Sequence, residues 1–456
     1  MLLHVRSDIN ICLLIVEISR KLSKMVLIQE PFFYPHTSML RLTLLFLLIT
    51  KLSIAQRIDG VIEIHCDSSK LDEAPRLLDY LKGKEIVALG EATHGTHEFF
   101  TIKNELIKDL VSNGSFKVIA FETDFSAYEI NKYISGKSDD LPGLMSNFYL
   151  VYHTAEFVSL LKWLRTYNLS VKPDDQVVIY GFDSQHVGNL VRMMTDYIQK
   201  VDPLYVNECT SSLAELNGRL SPRKKNKYLK AIKAIDQHIQ SSKTGYITLE
   251  GERSYVFALQ MISRLKSAII QSTVKNNHGT KSQTMRDSEM LENVKWIKEF
   301  SGPESKIILW AHNGHIQTKK FQLKKDDHFR MGEGLRDRFT SKYYAVGFDF
   351  GTGSFNAVNY QKDARMQPCV VTNVKDQSFA SELSAIPFPC YLANFALLPQ
   401  HLKESLQRSM YMREVGVGFS GEQFTFVKIN IVNAFDAMIF INKTTPSQFI
   451  DARKIK

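Results

Sequence analysis

The stretch that decides the fold is EIVALGEATHG at residues 85–95, followed by an amphipathic segment at residues 98–113. The first part is a short β-rich run that ends in a loop bounded by glycines. The second part carries apolar residues at helical spacing, namely Phe99, Ile102, Leu106, Ile107 and Leu110. A strand, a tight loop and a crossover helix are therefore predicted, and we expect Gly114 to cap the end of that helix.

The same alternation continues along the chain and predicts an α/β fold. Further β-rich runs lie at residues 117–121, 176–180, 306–310, 343–347, 424–432 and 438–441. Amphipathic helical stretches at residues 155–167 and 286–300 separate some of these runs. Strands that alternate with helices form a largely parallel sheet wound with helices.

Residues 204–278 break this alternation, because they form a long lysine-rich helical stretch without a β-rich run. Ser221 and Pro222 are typical of an N-cap and a first helical position. We predict a helical insertion that caps the active site. The core together with this insertion makes one domain at residues 56–456.

The start of the chain has the pattern of an export signal. Residues 39–55 contain a basic start, a short apolar run and small residues at the predicted cut after Ala55. Residues 1–38 are interpreted as an upstream extension from a start codon assigned too early. The mature chain is then exported, to the periplasm or beyond the cell, and keeps no membrane anchor.

Charge and cysteine content exclude several function classes. The net charge is +9; without residues 1–55, which hold six Lys/Arg and three Asp/Glu, 51 basic and 45 acidic residues leave +6. The densest basic run, at residues 223–225, suits a solvated helix face better than a nucleic-acid stripe with stacking aromatics. Four cysteines of the mature chain form no zinc or C-x-x-C spacing. A Cys369–Cys390 disulfide and buried free thiols both remain open.

Polar side chains follow four of the predicted strands. In an open α/β sheet, ligands bind beyond the carboxyl ends of the strands, where such residues meet. The residues that follow the runs in this way are Glu91, His94, Glu122, Asp183, His312 and His315. Their recurrence predicts one hydrolytic site at this edge of the sheet.

Glu91 and His94 have the spacing of a carboxylate that orients an imidazole. The carboxylate fixes the tautomer, so that the other ring nitrogen can take a proton from water. Protonated His312 or His315, or Arg286, can stabilise the negative charge that develops on a carbonyl oxygen.

Structural interpretations compete with these roles. Glu122 and Asp183 could cap the following helices, and Arg286 could simply pair with Asp287. For His65, His97 and His153 only a structural role is expected. Aromatic residues that could rim a wide cleft are Phe100, Tyr149 and Tyr152, although core packing is the default for each.

Other hydrolytic arrangements are absent from the sequence. No Gly-x-Ser-x-Gly elbow and no His-Glu-x-x-His helix occurs. The glycines at residues 416–421 match a dinucleotide fingerprint, but β-rich sequence follows where a helix is required. No cofactor is predicted. Two histidines and two carboxylates could instead hold a divalent metal that activates water, and spacing does not separate the two schemes.

Taken together, these motifs resemble those of the erythromycin esterase family over roughly residues 75–445. The matching strings are Gly90-Glu91-x-x-His94-Gly95, Phe121-Glu122, Tyr180-Gly181-Phe182-Asp183, Arg286-Asp287-x-x-Met290-x-x-Asn293, Trp310-Ala311-His312-Asn313-Gly314-His315, Met331-Gly332 and Phe435-Asp436-Ala437. The resemblance implies a helical cap over an α/β core. It also implies an enzyme that opens a macrolide lactone with a histidine-activated water.

The resemblance also implies roles for individual residues. His94 is the base and Glu91 is its partner, while the side chains that line the site are Glu122, Arg286, His312 and His315. Lys103 and Asp183 are expected to bind substrate. Family members can carry an arginine where this chain has Lys103, and lysine keeps the charge but loses the bidentate fork.

The sequence thus predicts an exported hydrolase that acts on a small-molecule ester, such as a macrolide, and on no nucleic acid. One alternative is a metal-dependent hydrolase of a cell-envelope substrate. Another is a secreted binding protein of the same fold without turnover.

Overall fold

The structure is a computed structural model that describes residues 58–64, 80–183, 185, 187–216, 220–272, 274, 280–319, 328–383 and 386–451. The predicted upstream extension at residues 1–38 and the predicted signal at residues 39–55 lie outside these residues, as does His65. In the part of the chain that is described, no helix is long and apolar enough to cross a membrane.

The strands build one large sheet and one small sheet. The strands of the described residues are β1 (Val61–Glu63), β2 (Ile86–Leu89), β3 (Val118–Asp124), β4 (Val178–Asp183), β5 (Ile307–Trp310), β6 (Tyr343–Asn359), β7 (Met366–Val371), β8 (Cys390–Asn394), β9 (Met410–Arg413), β10 (Gly418–Phe419), β11 (Phe426–Ile429) and β12 (Ala437–Thr444). The large sheet has the order β1-β8-β12-β6-β2-β5-β3-β4, and β7 and β10 pair with β6. From β12 to β4, each strand is parallel to its neighbour. β8 is antiparallel to both of its neighbours, β12 and β1. The predicted largely parallel α/β sheet is confirmed.

Helices connect the strands and cover both faces of the sheet. The α-helices of the described residues are α1 (His97–Gly114), α2 (Asn131–Ile134), α3 (Leu141–Met145), α4 (Ala155–Ser170), α5 (Gly188–Val201), α6 (Val206–Leu213), α7 (Lys225–Ser241), α8 (Lys243–Ser272), α9 (Thr280–Phe300), α10 (Asn313–Ile316), α11 (Met331–Phe339), α12 (Phe379–Glu382), α13 (Gln400–Leu406) and α14 (Ile431–Ala434). The predicted helices at residues 98–113, 155–167 and 286–300 correspond to α1, α4 and α9.

The continuous apolar character of the strands follows from burial on both faces. In β2, Ile86 and Ala88 belong to one hydrophobic cluster, and Val87 and Leu89 belong to the other. The first cluster includes α5, α7, α8 and α9, and the second includes α1 and α4. Because helices cover both faces of this parallel sheet, neither face is polar, and the sequences of its strands are continuous apolar runs.

Two local predictions are wrong. Gly114 is the last residue of α1, and the left-handed position falls on Ser115, with φ 61°. The predicted strand at residues 424–432 is only four residues long as β11, which pairs with β9 outside the large sheet. It is short because the side chain of Asn430 accepts a hydrogen bond from the Asn433 amide and starts α14.

The segment at residues 204–278 contains α6, α7 and α8. A 3-10 turn at Pro222–Lys224 precedes α7, and the Ser221 side chain makes no cap hydrogen bond there. Gly251, with φ 82°, introduces a kink into α8. The buried residues of these helices join the cluster that also contains α5 and α9.

The structure contradicts one of the two cysteine arrangements that the sequence left open. Cys369 is a buried free cysteine, as is Cys209, so the Cys369–Cys390 disulfide is wrong. Cys390 is disulfide-bonded.

Candidate active site

The strand register brings the predicted site residues to one edge of the sheet. Leu89 at the end of β2 is level with Trp310 at the end of β5, and Trp310 is level with Phe121 of β3. The chain segments that follow these positions, which carry Glu91 and Glu122, therefore begin next to each other at this edge of the sheet. All eight predicted residues lie in the network of contacts built at this edge.

Glu91 and His94 form a buried carboxylate–imidazole pair. His94 Nδ1 lies 2.6 Å from Glu91 Oε1, and the Glu91 side chain is 2% exposed. The other oxygen of Glu91 accepts hydrogen bonds from Lys103 Nζ at 2.5 Å and from Trp310 Nε1 at 2.8 Å. Burial raises the pKa of Glu91, but the Lys103 charge and the His94 hydrogen bond outweigh it and hold this pKa at about 2. Glu91 is thus an ionised and anchored partner for His94.

The loop that carries this pair requires a glycine at its start. A Cβ atom on Gly90 would lie 2.2 Å from Asn313 Oδ1. The Asn313 amide donates to the carbonyl oxygen of Glu91 at 2.9 Å, and its side chain bonds Phe348 in both directions, with Asn313 Nδ2 to Phe348 O at 2.7 Å. Close approach of the two loops at Gly90 therefore fixes the backbone of Glu91 against the loop that follows β5.

Arg286 of α9 joins two carboxylates from neighbouring strands. Its Nη2 donates to Glu122 Oε1 and to Asp183 Oδ2, both at 2.7 Å. The Asp183 side chain is fully buried. Burial raises the pKa of Glu122, but the positive charges of His315 and Arg286 hold it well below its ordinary value. Glu122 and Asp183 therefore anchor a cation and do not cap helices.

His315 is held between two carboxylates. Its Nδ1 lies 2.9 Å from Asp287 Oδ1, and its Nε2 lies 3.2 Å from Glu122 Oε1. Burial lowers the pKa of His315, but Asp287 and Glu122 outweigh it and raise this pKa to about 10. Nε2 also lies 3.1 Å from Arg286 Nη1, which only donates. Because the protonated ring cannot accept from Arg286, Nε2 donates to Glu122.

His312 belongs to a third carboxylate–imidazole pair. Its Nδ1 lies 3.0 Å from Glu414 Oε1, and its Nε2 lies 3.2 Å from the Ala92 carbonyl oxygen and 3.1 Å from the Gly416 amide. Burial lowers the pKa of His312, but Glu414 and more distant carboxylates raise it above its ordinary value. The rings of His312 and His94 are 5.0 Å apart between centroids.

Lys103 and Asp183 lie inside the protein in this structure, and their binding of substrate stays a prediction. Both are 0% exposed, and both are ion-paired to other side chains of the site. Burial lowers the pKa of Lys103 to about 8, although Glu91 opposes this effect. Lys103 therefore anchors Glu91, and Asp183 anchors Arg286.

The aromatic residues divide between the core and the site. Phe100 and Tyr152 are each 1% exposed and pack in the core around Trp310. Tyr149 differs, because its hydroxyl oxygen lies 2.8 Å from Asp124 Oδ1 and 3.2 Å from Asp183 Oδ2, and its single proton is shared between these carboxylates. The expected default of core packing thus holds for two of the three.

Histidines outside the motifs have the structural contacts expected of them. His97 Nδ1 lies 2.5 Å from Glu156 Oε1, and His153 bonds the carbonyl oxygen of Met145 at 3.1 Å.

Three residues of the site were not predicted from the sequence, namely Asp287, His328 and Glu414. Asp287 was considered only as a partner of Arg286, yet it contacts His315 and also His328 Nε2 at 2.9 Å. Glu414 pairs with His312 from a loop about 100 residues further along the chain. Only the motif Met331-Gly332 pointed to the region of His328, and no motif pointed to Glu414.

The donor set does not fit a metal centre. Among the described residues, no group of three or more His, Cys, Asp or Glu side chains has an arrangement that could hold a metal ion. The imidazole nitrogens that face carboxylates are occupied by those carboxylates, as at His94 and His315. The side chains of the site therefore act on one another as proton donors and acceptors.

Comparisons with known proteins agree with the fold and the motifs. The family model described as erythromycin esterase matches residues 111–444, which begin after the Glu91–His94 loop. The protein YbfO of Bacillus subtilis (strain 168), which is named as a hydrolase, is 24% identical over 398 residues that cover 81% of this chain and 86% of YbfO. The erythromycin esterase type II of Escherichia coli is 22% identical over 424 residues that cover 85% of this chain and 96% of that enzyme.

Solved structures share the fold at low identity. A protein from Bacillus cereus superposes with a TM-score of 0.75 at 22% identity, over 86% of this chain and 97% of that protein. The open conformation of a mutant of the erythromycin esterase EreC superposes with a TM-score of 0.63 at 19% identity, over 86% of this chain and 99% of that protein.

Proposed function

Because this chain belongs to the erythromycin esterase family and is a hydrolase of that family, we propose that it hydrolyses a carboxylic ester with water activated by His94. The observation that carries this proposal is the Glu91–His94 pair. Its carboxylate is ionised, buried and anchored by Lys103 and Trp310.

His94 has the features of a general base. The ionised Glu91 accepts a hydrogen bond from Nδ1–H, so the bare Nε2 is the atom that takes a proton from water. The His94 side chain is 14% exposed, which gives a small molecule access to it. The oxygen of water attacks the ester carbonyl carbon while its proton passes to Nε2. The carbon–oxygen bond of the ester then breaks, and the proton passes from Nε2 to the departing alkoxide.

The cations that pair with Glu122, at the same edge of the sheet as His94, suit the negative charge of the tetrahedral intermediate. Arg286 stays charged because Asp183 and Glu122 raise its pKa, and its side chain is 15% exposed. His315 is cationic at neutral pH for the reason given above. Fixed charges of this kind, held in a partly buried site, need little rearrangement during the reaction.

For the substrate, we propose a macrolide lactone or a related small-molecule ester. Support comes from the similarity to the E. coli erythromycin esterase type II, at 22% identity. The family resemblance implies that members can carry an arginine where this chain has Lys103, and lysine keeps the charge but lacks the bidentate fork of arginine.

We also propose that residues 39–55 export the chain and that residues 204–278 cap the site. The disulfide bond of Cys390 is consistent with an oxidising compartment. Expression of the full chain followed by N-terminal sequencing of the exported product tests this. A product that starts at residue 56 supports it, and an uncleaved chain retained in the cytoplasm contradicts it.

Incubation of the mature chain with erythromycin, followed by mass spectrometry, tests the activity. We expect a product heavier by one water from the wild type and none from His94→Asn. His97→Asn is a matched control, because His97 lies three residues further on and pairs with Glu156 instead.

Each outcome tests a different part of the proposal, namely the mechanism, the substrate or the absence of a metal requirement. Hydration that survives His94→Asn contradicts the mechanism. Hydrolysis of simple aryl esters without hydration of any macrolide contradicts the antibiotic substrate alone. Activity lost on treatment with a chelator and restored by a divalent metal would favour the metal-dependent alternative.

A further inference from the structure

The segment at residues 445–450, which follows β12, lies along the loop that carries His94, and we call this segment the strap. The Ser447 amide donates a hydrogen bond to the Gly95 carbonyl oxygen at 3.0 Å. Because Gly95 directly follows His94 in the chain, the strap holds the backbone on one side of the proposed catalytic base.

Two further contacts extend this pairing along the loop. The His97 amide donates to the Thr445 carbonyl oxygen at 2.9 Å, and Thr96 forms an antiparallel bridge with Pro446. Proline has no N–H group to donate, but the hydrogen bonds of this pairing come from the residues on either side of Pro446. The strap is therefore paired with the loop in the manner of a short antiparallel strand.

The strap is anchored on α1 by the carboxylate of Glu98. Glu98 Oε2 accepts a hydrogen bond from the Thr445 amide at 2.9 Å, and Glu98 Oε1 accepts one from Thr445 Oγ1 at 2.6 Å. Glu98 is 7% exposed and lies in the first turn of α1, where the helix dipole favours a negative charge. Both oxygens of this buried carboxylate are thus used by one residue of the strap.

A second anchor is Asn356 of β6. Its Nδ2 donates to the Ser447 carbonyl oxygen at 2.6 Å, and its backbone amide donates to the Gly95 carbonyl oxygen at 2.9 Å. A Cβ atom on Gly95 would collide with the Asn356 carbonyl oxygen, so the two backbones approach as closely as glycine allows. The Gly95 carbonyl oxygen therefore accepts two amide protons, one from β6 and one from the strap.

The strap also reaches the start of α4. The Gln448 amide lies 3.0 and 3.2 Å from the two carboxylate oxygens of Glu156, which is in the first turn of α4. Thr154 and Phe449 form another antiparallel bridge. The strap thus links the first turns of α1 and α4 through two glutamates, and the loop that carries His94 lies between the strap and the sheet edge.

We propose that the strap sets the position of His94, and that Glu98 and Thr445 are positioning residues that hold the strap in place. This inference rests on the proposed ester hydrolysis, in which His94 Nε2 takes the proton of water. The hydrogen bond to Glu91 fixes His94 Nδ1, whereas the backbone that follows His94 decides where Nε2 points.

Substitutions of two glutamates in α1 test the positioning role. Glu98→Ala removes both bonds to Thr445, whereas Glu98→Gln keeps an acceptor for the Thr445 amide and an amide that can donate to its hydroxyl oxygen. Glu105→Ala is the matched control, because Glu105 lies two turns further along α1 and pairs with Lys108.

The expected effect is a loss of kcat without a comparable change in KM. With p-nitrophenyl acetate, Glu98→Ala should lower kcat about 10²-fold, because a displacement of about 1 Å in a catalytic group costs this much. Glu98→Gln and Glu105→Ala should stay close to the wild type. A wild-type kcat in Glu98→Ala would overturn the proposal, as would a loss in Glu98→Gln as large as in Glu98→Ala.

A milder variant keeps the test open if Glu98→Ala does not fold. Thr445→Val keeps the shape of the side chain but removes the hydroxyl bond to Glu98, and Thr445→Ser keeps that hydroxyl. Thr445→Val should lose part of the kcat, and Thr445→Ser should recover it. Equal kcat values in the wild type and in these two variants would overturn the proposal.

Proton NMR gives a readout that needs no substrate. The proton between His94 Nδ1 and Glu91, which are 2.6 Å apart, should give a resonance far downfield, and His94→Asn assigns it. The pair of His97 with Glu156 is also short, and His97→Asn assigns its resonance. The His94 resonance should move in Glu98→Ala and Thr445→Val and keep its position in Glu105→Ala and Thr445→Ser.

Failure of the proposed function is distinguishable from failure of this inference. If the wild type hydrolyses no ester, the proposed function fails, and the His94 resonance alone decides the inference. A resonance that moves in Glu98→Ala but not in Glu105→Ala supports the positioning role of the strap. The same resonance in the wild type and in folded Glu98→Ala overturns it.

Discussion

Two carboxylate–histidine pairs of this protein have similar contact distances but different surroundings. Glu91 and His94 at the sheet edge are 2.6 Å apart, with side chains 2% and 14% exposed. Asp202 and His238, which join the end of α5 to α7, are 2.9 Å apart, with side chains 23% and 32% exposed. The carboxylate of the first pair is almost completely withdrawn from water, and that of the second is not.

The neighbours of each pair explain the difference in chemistry. Glu91 is anchored by Lys103, and His94 faces the ring of His312. Asp202 accepts a hydrogen bond from the Tyr246 hydroxyl at 3.1 Å, and His238 stacks on the Tyr205 ring with centroids 3.5 Å apart. A carboxylate next to an imidazole therefore makes a candidate catalytic pair only where buried charges anchor one partner and other charged groups face the second.

The largest expected effect comes from removing the charge that anchors Glu91. Lys103→Met leaves a buried carboxylate without its cation, and such a change costs about 3–5 kcal/mol of unfolding free energy. Ester hydrolysis should fall together with the stability. Urea denaturation and kcat on p-nitrophenyl acetate measure both. A variant as stable and active as the wild type would contradict the anchoring role of Lys103.

The pair of His315 with Asp287 should show its charge in the pH dependence of stability. The pKa of His315 in the folded state, about 10, lies above its ordinary value of 6.5. Its contribution is therefore complete below pH 6.5 and is lost as the pH rises through about 10. The unfolding free energy should decline over this range in the wild type and in His238→Gln, and less in His315→Gln. Identical slopes in all three would contradict the raised pKa.

A smaller effect should distinguish lysine from arginine at residue 103. Burial lowers the pKa of Lys103 to about 8, so the cation beside Glu91 is lost as the pH rises through this value. Arginine stays charged at any accessible pH. The alkaline limb of kcat/KM should therefore lie roughly one pH unit or more higher in Lys103→Arg than in the wild type. The same alkaline limb in both proteins would rule out Lys103 as its source.

The smallest effect is expected at the exposed pair. Asp202→Asn removes the carboxylate from a partly exposed carboxylate–imidazole contact, and such contacts are worth less than about 1 kcal/mol. The kcat on p-nitrophenyl acetate should equal that of the wild type. A loss of activity comparable to that of Lys103→Met would mean that α7 and the site are coupled.

Much of the fold could be predicted because burial on both faces leaves a simple signal in the sequence. The apolar runs at residues 85–89 and 306–310 lie within one residue of β2 and β5. The prediction of one long strand at residues 424–432 is wrong, because the cap at Asn430 starts α14 and leaves only the four residues of β11, which pair with β9. The end of α1 is predicted one residue too early, because the left-handed position, with φ 61°, falls on Ser115 and not on Gly114.

The order of polar residues after each strand follows from the sequence alone, and parallel pairing brings Glu91, Glu122 and His312 to one edge. The partners of these residues follow from the packing of the folded chain. Lys103 lies on the apolar face of α1, four residues after Phe99 and three before Leu106, and its charge is fully buried against the Glu91 carboxylate. Glu414 reaches His312 across about 100 residues, a distance that local patterns do not cover. Charge and apolarity are local properties of a chain, whereas the pairing of buried charges depends on the packing of whole elements.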